Sequence, residues 1–215
     1  MTPDKKSFTK QKTDTLHILG NGPSIQQFVR SSWPDDHMFV GCNFSNIEHR
    51  PDFTVMMDAK PVMKFYQGYK LQIPLVLSDR AVSYIDNDRS GWQELSDDAF
   101  ELIDIIPMIH KKAEGMKFPM NSGHHATMYA VGYNDPKARD VHLWGMDIFC
   151  GDNLVTATDA ILENNRVDRH KTIVAQEWRT YWKQIFDMYP SIRFRVHVTG
   201  TIDKFFDTTE NLYNG

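Results

Sequence analysis

Short apolar runs alternate with glycine turns and amphipathic stretches along this chain. The run TLHIL at 15–19 leads straight into Gly20-Asn21-Gly22-Pro23-Ser24. Residues 25–30 then read as a helical turn with Phe28 and Val29 on its apolar side. MFVGC at 38–42, FTVMM at 53–57 and IPLVL at 73–77 predict further strands, with a fifth over 102–106 and a helix over 61–69. Near-continuous apolar runs of this length suit strands buried on both faces, as in a parallel sheet. In the second half, 122–133 reads as a helix rich in small residues, VHLW at 141–144 as a strand ending in Gly145-Met146-Asp147, and FRVHV at 194–198 as the last strand. Val174, Trp178, Tyr181, Trp182 and Ile185 form a stripe at helical spacing over 172–188, closed by Pro190 and read as core. Residues 149–170 are polar and without periodicity, a long excursion of the kind that is usually functional or mobile.

Alternating strands and helices predict a single α/β, Rossmann-like domain over 15–215. Its mostly parallel sheet is flanked by helices and joined by right-handed crossovers. A lid at 149–170 and a flexible polar tail over 1–14 complete the expectation. In such sheets ligands bind beyond the carboxyl ends of the strands. Four predicted strand ends carry glycine-rich or polar residues: GNGPS, Asn43, Asp58 and the GMD triplet. They converge on one crevice.

Composition narrows the class. The chain has 215 residues, 41% of them hydrophobic, enough for a sizeable core. Its 24 Lys plus Arg against 28 Asp plus Glu leave a net charge of −4, which argues against a general grip on nucleic acid. Two distant cysteines, Cys42 and Cys150, do not suggest a disulfide framework, and a reducing cytoplasm is the expected setting. No apolar run reaches the ~18 residues of a membrane span, and the lysine-bearing first fourteen residues lack the apolar core of a signal peptide.

Gly20–Ser24 carries the strongest local signal. Gly20 and Gly22 permit a tight turn and a close approach to a ligand, and Pro23 suits a first helical turn. The turn's N–H groups would suit a phosphate, with the Asn21 amide able to donate and accept. An ordinary strand–helix turn would use the same residues. Asn121-Ser122-Gly123 is a second candidate anion site, with Asn121 or Ser122 as N-cap. His124 and His125 would point about 100° apart on a helix; one is expected to face solvent and the other to lie near the ligand. Asp147 suits either a ligand contact or a turn. His170, just before the last long helix, is a candidate general base.

LGNGPS after a first strand, CN after a second, NSG opening a helix and a later strand ending G-x-D together resemble the bacterial lipooligosaccharide sialyltransferases. These are Rossmann-like enzymes that use CMP-sialic acid. The resemblance implies Asn21, Gly22, Ser24, Asn43, Ser122 and Gly123 around a nucleotide or nucleotide sugar, and Gly20 and Asp147 are expected at the same site from their places in the glycine loop and the GMD triplet. It further implies His170 as base, a glycan or small-molecule hydroxyl acceptor, no required cofactor and a homo-oligomer. The stretch from Arg50-Pro51-Asp52 to Asp58 is similar instead to the archaeal-type 6-hydroxymethylpterin diphosphokinases. That alternative implies a magnesium-dependent diphosphate transfer in which Asp58 serves the metal and the nucleotide. A non-catalytic nucleotide-binding protein is the third reading.

Overall fold

The apolar runs become strands because both of their faces are covered. All five residues of MFVGC and all four of FTVM are buried. The computed structural model describes residues 5–68, 73–87, 101–109, 116–151, 156, 161 and 168–215, the side chains of 46–47, 65–68 and 168–171 aside. Among them eight strands form one sheet: β1 (Thr15–Leu19), β2 (Met38–Cys42), β3 (Phe53–Met56), β4 (Pro74–Ser78), β5 (Glu101–Ile106), β6 (Asp140–Trp144), β7 (Arg193–His197) and β8 (Leu212–Asn214). Their order is β5-β4-β3-β2-β1-β6-β7-β8, and every pairing is parallel. β1 therefore has β2 on one side and β6 on the other, and the winding reverses at its carboxyl end.

On one face lie the helix Ser122–Asn134 and the long helix Asp168–Met188. Ala126 and Ala130 of the first, and Trp182 and Phe186 of the second, pack against Leu16, Ile18, Val40, Val141 and Phe194 of the sheet. Gly123, Ala126 and Ala130 keep the first helix slim enough to seat against β1, β2 and β3. On the other face, helices Ala59–Gly68 and Asp79–Asn87 cover β3 to β5 through Val62, Ala81 and Ile85. The β1–β6 part of that face is covered by Phe28, with Ile25 and Trp33, over Leu19, Phe39 and Trp144.

The segment after the glycine loop departs from expectation. It is a 3-10 turn, Pro23–Gln27, followed by a second at Arg30–Ser32. Phe28 is extended between them, drawn into the aromatic cluster, and Val29 is left 52% exposed. Among the elements not anticipated are the helix Asp79–Asn87, the short helix Asn46–His49 and the edge strand β8, which lies beyond the strand read as last. Residues 5–14 have no regular structure and lie against the domain. Phe8 packs edge-on against Phe53, the Lys6 N–H donates to the Leu102 carbonyl at 2.7 Å, and Lys10 pairs with Asp52. Most of the proposed lid, 149–170, lies outside the described residues. No helix among the described residues is long and apolar enough to cross a membrane.

Candidate functional site

A cavity of about 460 Å³ opens beyond the carboxyl ends of the strands, at the reversal beside β1. Its wall takes Gly20, Asn21 and Gly22 from the end of β1, Asn43 from β2, Asp58 and Lys60 from beyond β3, and Arg80 from beyond β4. Met146, Asp147 and Ile148 follow β6, and Phe118 to Gly123 lead into the Ser122 helix. Of the residues proposed from sequence, Gly20, Asn21, Gly22, Asn43, Asp58, Ser122, Gly123 and Asp147 are brought to this one cavity. Ser24 is not part of the wall. His170 falls in the first turn of the long helix, and its side chain lies outside the described residues.

The glycine loop is shaped by its neighbour more than by a ligand. The Gly20 N–H donates to the Trp144 carbonyl at 2.7 Å and the Gly22 N–H to the Gly145 carbonyl at 2.9 Å. Ser24 gives both its N–H, at 3.1 Å, and its hydroxyl, at 3.0 Å, to one oxygen of Asp147. The anion expected at this turn is thus the protein's own carboxylate. Asp147 acts as a latch between the β1 and β6 loops, and Ser24 is buried beneath it. The glycines permit this approach, since a Cβ at Gly20 would meet the Gly145 carbonyl oxygen at 2.5 Å. Asn21 donates its amide to the Cys42 carbonyl at 2.6 Å, and its own buried carbonyl oxygen has no partner among the described residues.

The Ser122 helix presents a different terminus. Asn121 caps it in a reciprocal box: its side chain accepts the His124 N–H, and the His124 ring accepts the Asn121 N–H at 3.0 Å. The His125 N–H reaches the Asn121 carbonyl. The N–H groups of Ser122 and Gly123 have no partner among the described residues. They stand at the positive end of a 13-residue helix, where N–H groups and dipole together favour an anion. Gly123 leaves room for Met146, whose sulfur a Cβ there would approach to 3.0 Å. The Ser122 hydroxyl donates to the Asn43 side chain at 3.1 Å. Asn43 is held at φ +49, a left-handed conformation that asparagine tolerates better than most residues and that recurs at functional sites.

Both histidines of this helix are buried, which overturns the expectation that one faces solvent. The His124 ring bonds the Asn121 N–H and the Trp178 carbonyl. The His125 ring accepts the Ile109 N–H at 3.1 Å and bonds the Asn121 carbonyl at 2.9 Å. All four ring nitrogens serve the backbone, so they pin the entry to the helix and leave none for a metal. Burial pushes the His124 pKa down to about 3.

Sequence reasoning missed the flanks of the cavity. Lys60 and Arg80 bring positive charge beside Asp58, at the ends of β3 and β4. Ser78-Asp79-Arg80 was a fifth polar strand end that could have been counted. Trp178 and Trp182, read as core, line the opposite flank. The indole N–H of Trp178 donates to the Pro119 carbonyl at 3.0 Å, and Glu177 accepts the N–H groups of Lys117 and Phe118. The last helix thereby fixes the segment leading to the anion site. Among the described residues no three His, Cys, Asp or Glu side chains form a group that could hold a metal ion.

No family model and no curated protein sequence matches the chain. Solved structures do. The fold is similar to that of the monofunctional alpha-2,3-sialyltransferase Cst-I from Campylobacter jejuni, with 14% identity over 94% of this chain and 82% of that one and a TM-score of 0.53. It is also similar to monomeric CstII, with 13% identity over 94% of this chain and 88% of that one and a TM-score of 0.51. At this identity the likeness is one of fold.

Proposed function

We propose that the protein is a glycosyltransferase that moves a sugar from a CMP-type nucleotide donor to a hydroxyl acceptor. The observation that carries this reading is the pair of N–H groups, Ser122 and Gly123, without a partner among the described residues at a helix N-terminus on the wall of the cavity. An N-terminus of this kind stabilises the charge that grows on a phosphate as its bond to the anomeric carbon breaks. The fold likeness to a sialyltransferase agrees with that chemistry. Lys60 and Arg80 on the wall favour a sugar that itself carries an acidic group, as the sialyltransferase-like reading requires. The acceptor hydroxyl adds to the anomeric carbon, the phosphate leaves with the bonding electrons, and His170 takes the hydroxyl proton. Asp58, the residue on which a diphosphokinase would turn, is exposed at the cavity edge.

CMP is expected to raise the unfolding midpoint equally in chelator and in magnesium, by the equivalent of about 2.7 kcal/mol at a hundredfold excess over its dissociation constant. A panel of CMP, UDP, GDP and ATP in which CMP gives no shift would remove the proposal. His170→Ala is expected to lower kcat by about 10²–10⁴-fold, the usual contribution of a general base, with the CMP shift retained. Retained turnover in that variant would mean that another group is the base.

A further inference from the structure

Trp182 is fully buried within the long helix, forms part of the cavity wall, and has an indole N–H with no hydrogen-bond partner among the described residues. Its neighbour Trp178 is satisfied by the Pro119 carbonyl. Of the rings packed on Trp182, Phe149 and Phe186, at centroid distances of 5.2 and 5.8 Å, carry no polar atom, and His124, at 4.7 Å, has both ring nitrogens engaged by backbone. A buried N–H left unpaired costs free energy that a phenylalanine would avoid. A ligand acceptor at this point of the wall restores the missing bond.

The strand order shows which part of a ligand that is. From Arg80, after β4, to Met146, after β6, the sheet takes four strand steps, roughly 19 Å. The charged flank, with Asp58, Lys60 and Arg80, lies at the β3–β4 end. The free N–H groups of the Ser122 helix fall between, where Ser122 bonds Asn43 and Gly123 adjoins Met146. The far flank, with Phe118, Met146, Ile148 and Trp182, is apolar apart from Asp147, whose carboxylate is taken up by Ser24. Sugar, phosphate and base differ in the same sequence: hydroxyl-rich and acidic, anionic, then flat and apolar with hydrogen-bonding edges. We infer that Trp182 is a specificity residue whose indole N–H donates to an acceptor atom on the edge of the donor's nucleobase. This rests on the nucleotide-sugar reading above.

The test uses the wild-type chain. Five tryptophans give five indole resonances in a ¹⁵N-edited spectrum, and the one missing from Trp182→Phe is that of Trp182. Assignment through the backbone replaces the variant if the variant does not fold. Added CMP is expected to move the Trp182 resonance downfield, the sense of a new hydrogen bond. Ribose 5-phosphate, which has the sugar and phosphate without the base, leaves it in place. Trp182→Phe is expected to bind CMP roughly three- to tenfold more weakly, with ribose 5-phosphate binding unchanged. Saturation by CMP with the resonance unmoved overturns the inference and leaves the nucleotide reading standing. An equal shift with ribose 5-phosphate also overturns it, since Trp182 would then address the ribose or phosphate. If none of CMP, UDP, GDP and ATP binds the wild type, both readings fall together.

Discussion

Lowering the pH from 7.5 to 5 is expected to remove several kcal/mol of folding stability, well before general acid unfolding. Four histidines on the β1–β6 face and its border form a chain of rings: His37, His17, His142 and His197. The nitrogens of His17 and His37 are 3.0 Å apart, those of His142 and His197 are 2.9 Å apart, and His17 stacks on His142 at 4.7 Å. The Trp144 indole donates to His17 Nδ1 at 3.2 Å, so the proton of His17 sits on Nε2 and goes to His37. Burial, reinforced by His142, His37 and His197, pushes the His17 pKa down to about 2. Burial with the Arg195 charge takes His142 to about 4, and burial with His142 and Arg195 takes His197 to about 4. His124, on the other face, is at about 3 through burial.

The sign follows from the direction of these shifts. The rings of His17, His142, His197 and His124 are held neutral when folded and titrate near 6.5 when unfolded. The unfolded chain therefore takes up protons first as the pH falls. Stability is full above about pH 6.5 and declines from there toward the folded pKa values. Each fully buried ring contributes about 1.4 kcal/mol per pH unit in that window, so His17 and His124 lose about 2 kcal/mol each by pH 5. His142 and the less buried His197 add smaller amounts. Against a total of about 5–15 kcal/mol, such a loss moves a urea midpoint far enough to measure without ambiguity. A midpoint that stays level between pH 7.5 and 5 would mean that these rings are not held neutral.

How much of this was legible in the chain depended on the length of pattern each element offered. Strands buried on both faces announce themselves as five-residue apolar runs. The rule that ligands sit at strand ends pointed to six residues of the cavity, Gly20, Asn21, Gly22, Asn43, Asp58 and Asp147, and the helix-capping pattern to Ser122 and Gly123. Three-residue β8 offers too short a pattern, and its partner β7 decides its existence. The helix Asp79–Asn87 was readable in principle, since Ala81, Val82 and Ile85 make a one-sided stripe. Tertiary contacts hid the rest. GNGPS looks the same whether its N–H groups face a phosphate or Asp147, and only the pairing of β1 with β6 brings that carboxylate beneath the turn. Likewise a stripe of tryptophans at helical spacing reads as core, and the atom that separates Trp182 from a simple core residue is one nitrogen without a partner.

Gly22→Ala is expected to cost about 3 kcal/mol and to abolish the CMP shift. The reason is contact, not backbone freedom. Gly22 sits at φ −73 and ψ 162, where alanine is at ease. In open space the change would stabilise the protein slightly, by restricting the unfolded chain. Here the added Cβ would overlap the Asp147 carboxylate and stand 2.8 Å from the Gly145 carbonyl oxygen. Asp147 could swing aside only by releasing both bonds from Ser24, which is buried and has no water to replace them. The Gly145 oxygen is backbone, already bonded to the Gly22 N–H, and cannot turn away. The loops after β1 and β6 must therefore part. Overpacking of this kind costs about 1–3 kcal/mol, and hydrogen bonds to a charged group are worth about 1.5–3 kcal/mol. At about 2–4 °C per kcal/mol for a chain of this size, the midpoint should drop by roughly 10 °C. Gly132→Ala is the matched control: it is exposed near the end of the Ser122 helix, its added Cβ meets nothing within 4 Å, and it should gain about 0.5–1 kcal/mol from helix propensity. Equal midpoints for the two variants would mean that the β1 and β6 loops are not latched. A lowered midpoint with the CMP shift intact would separate the latch from the binding site.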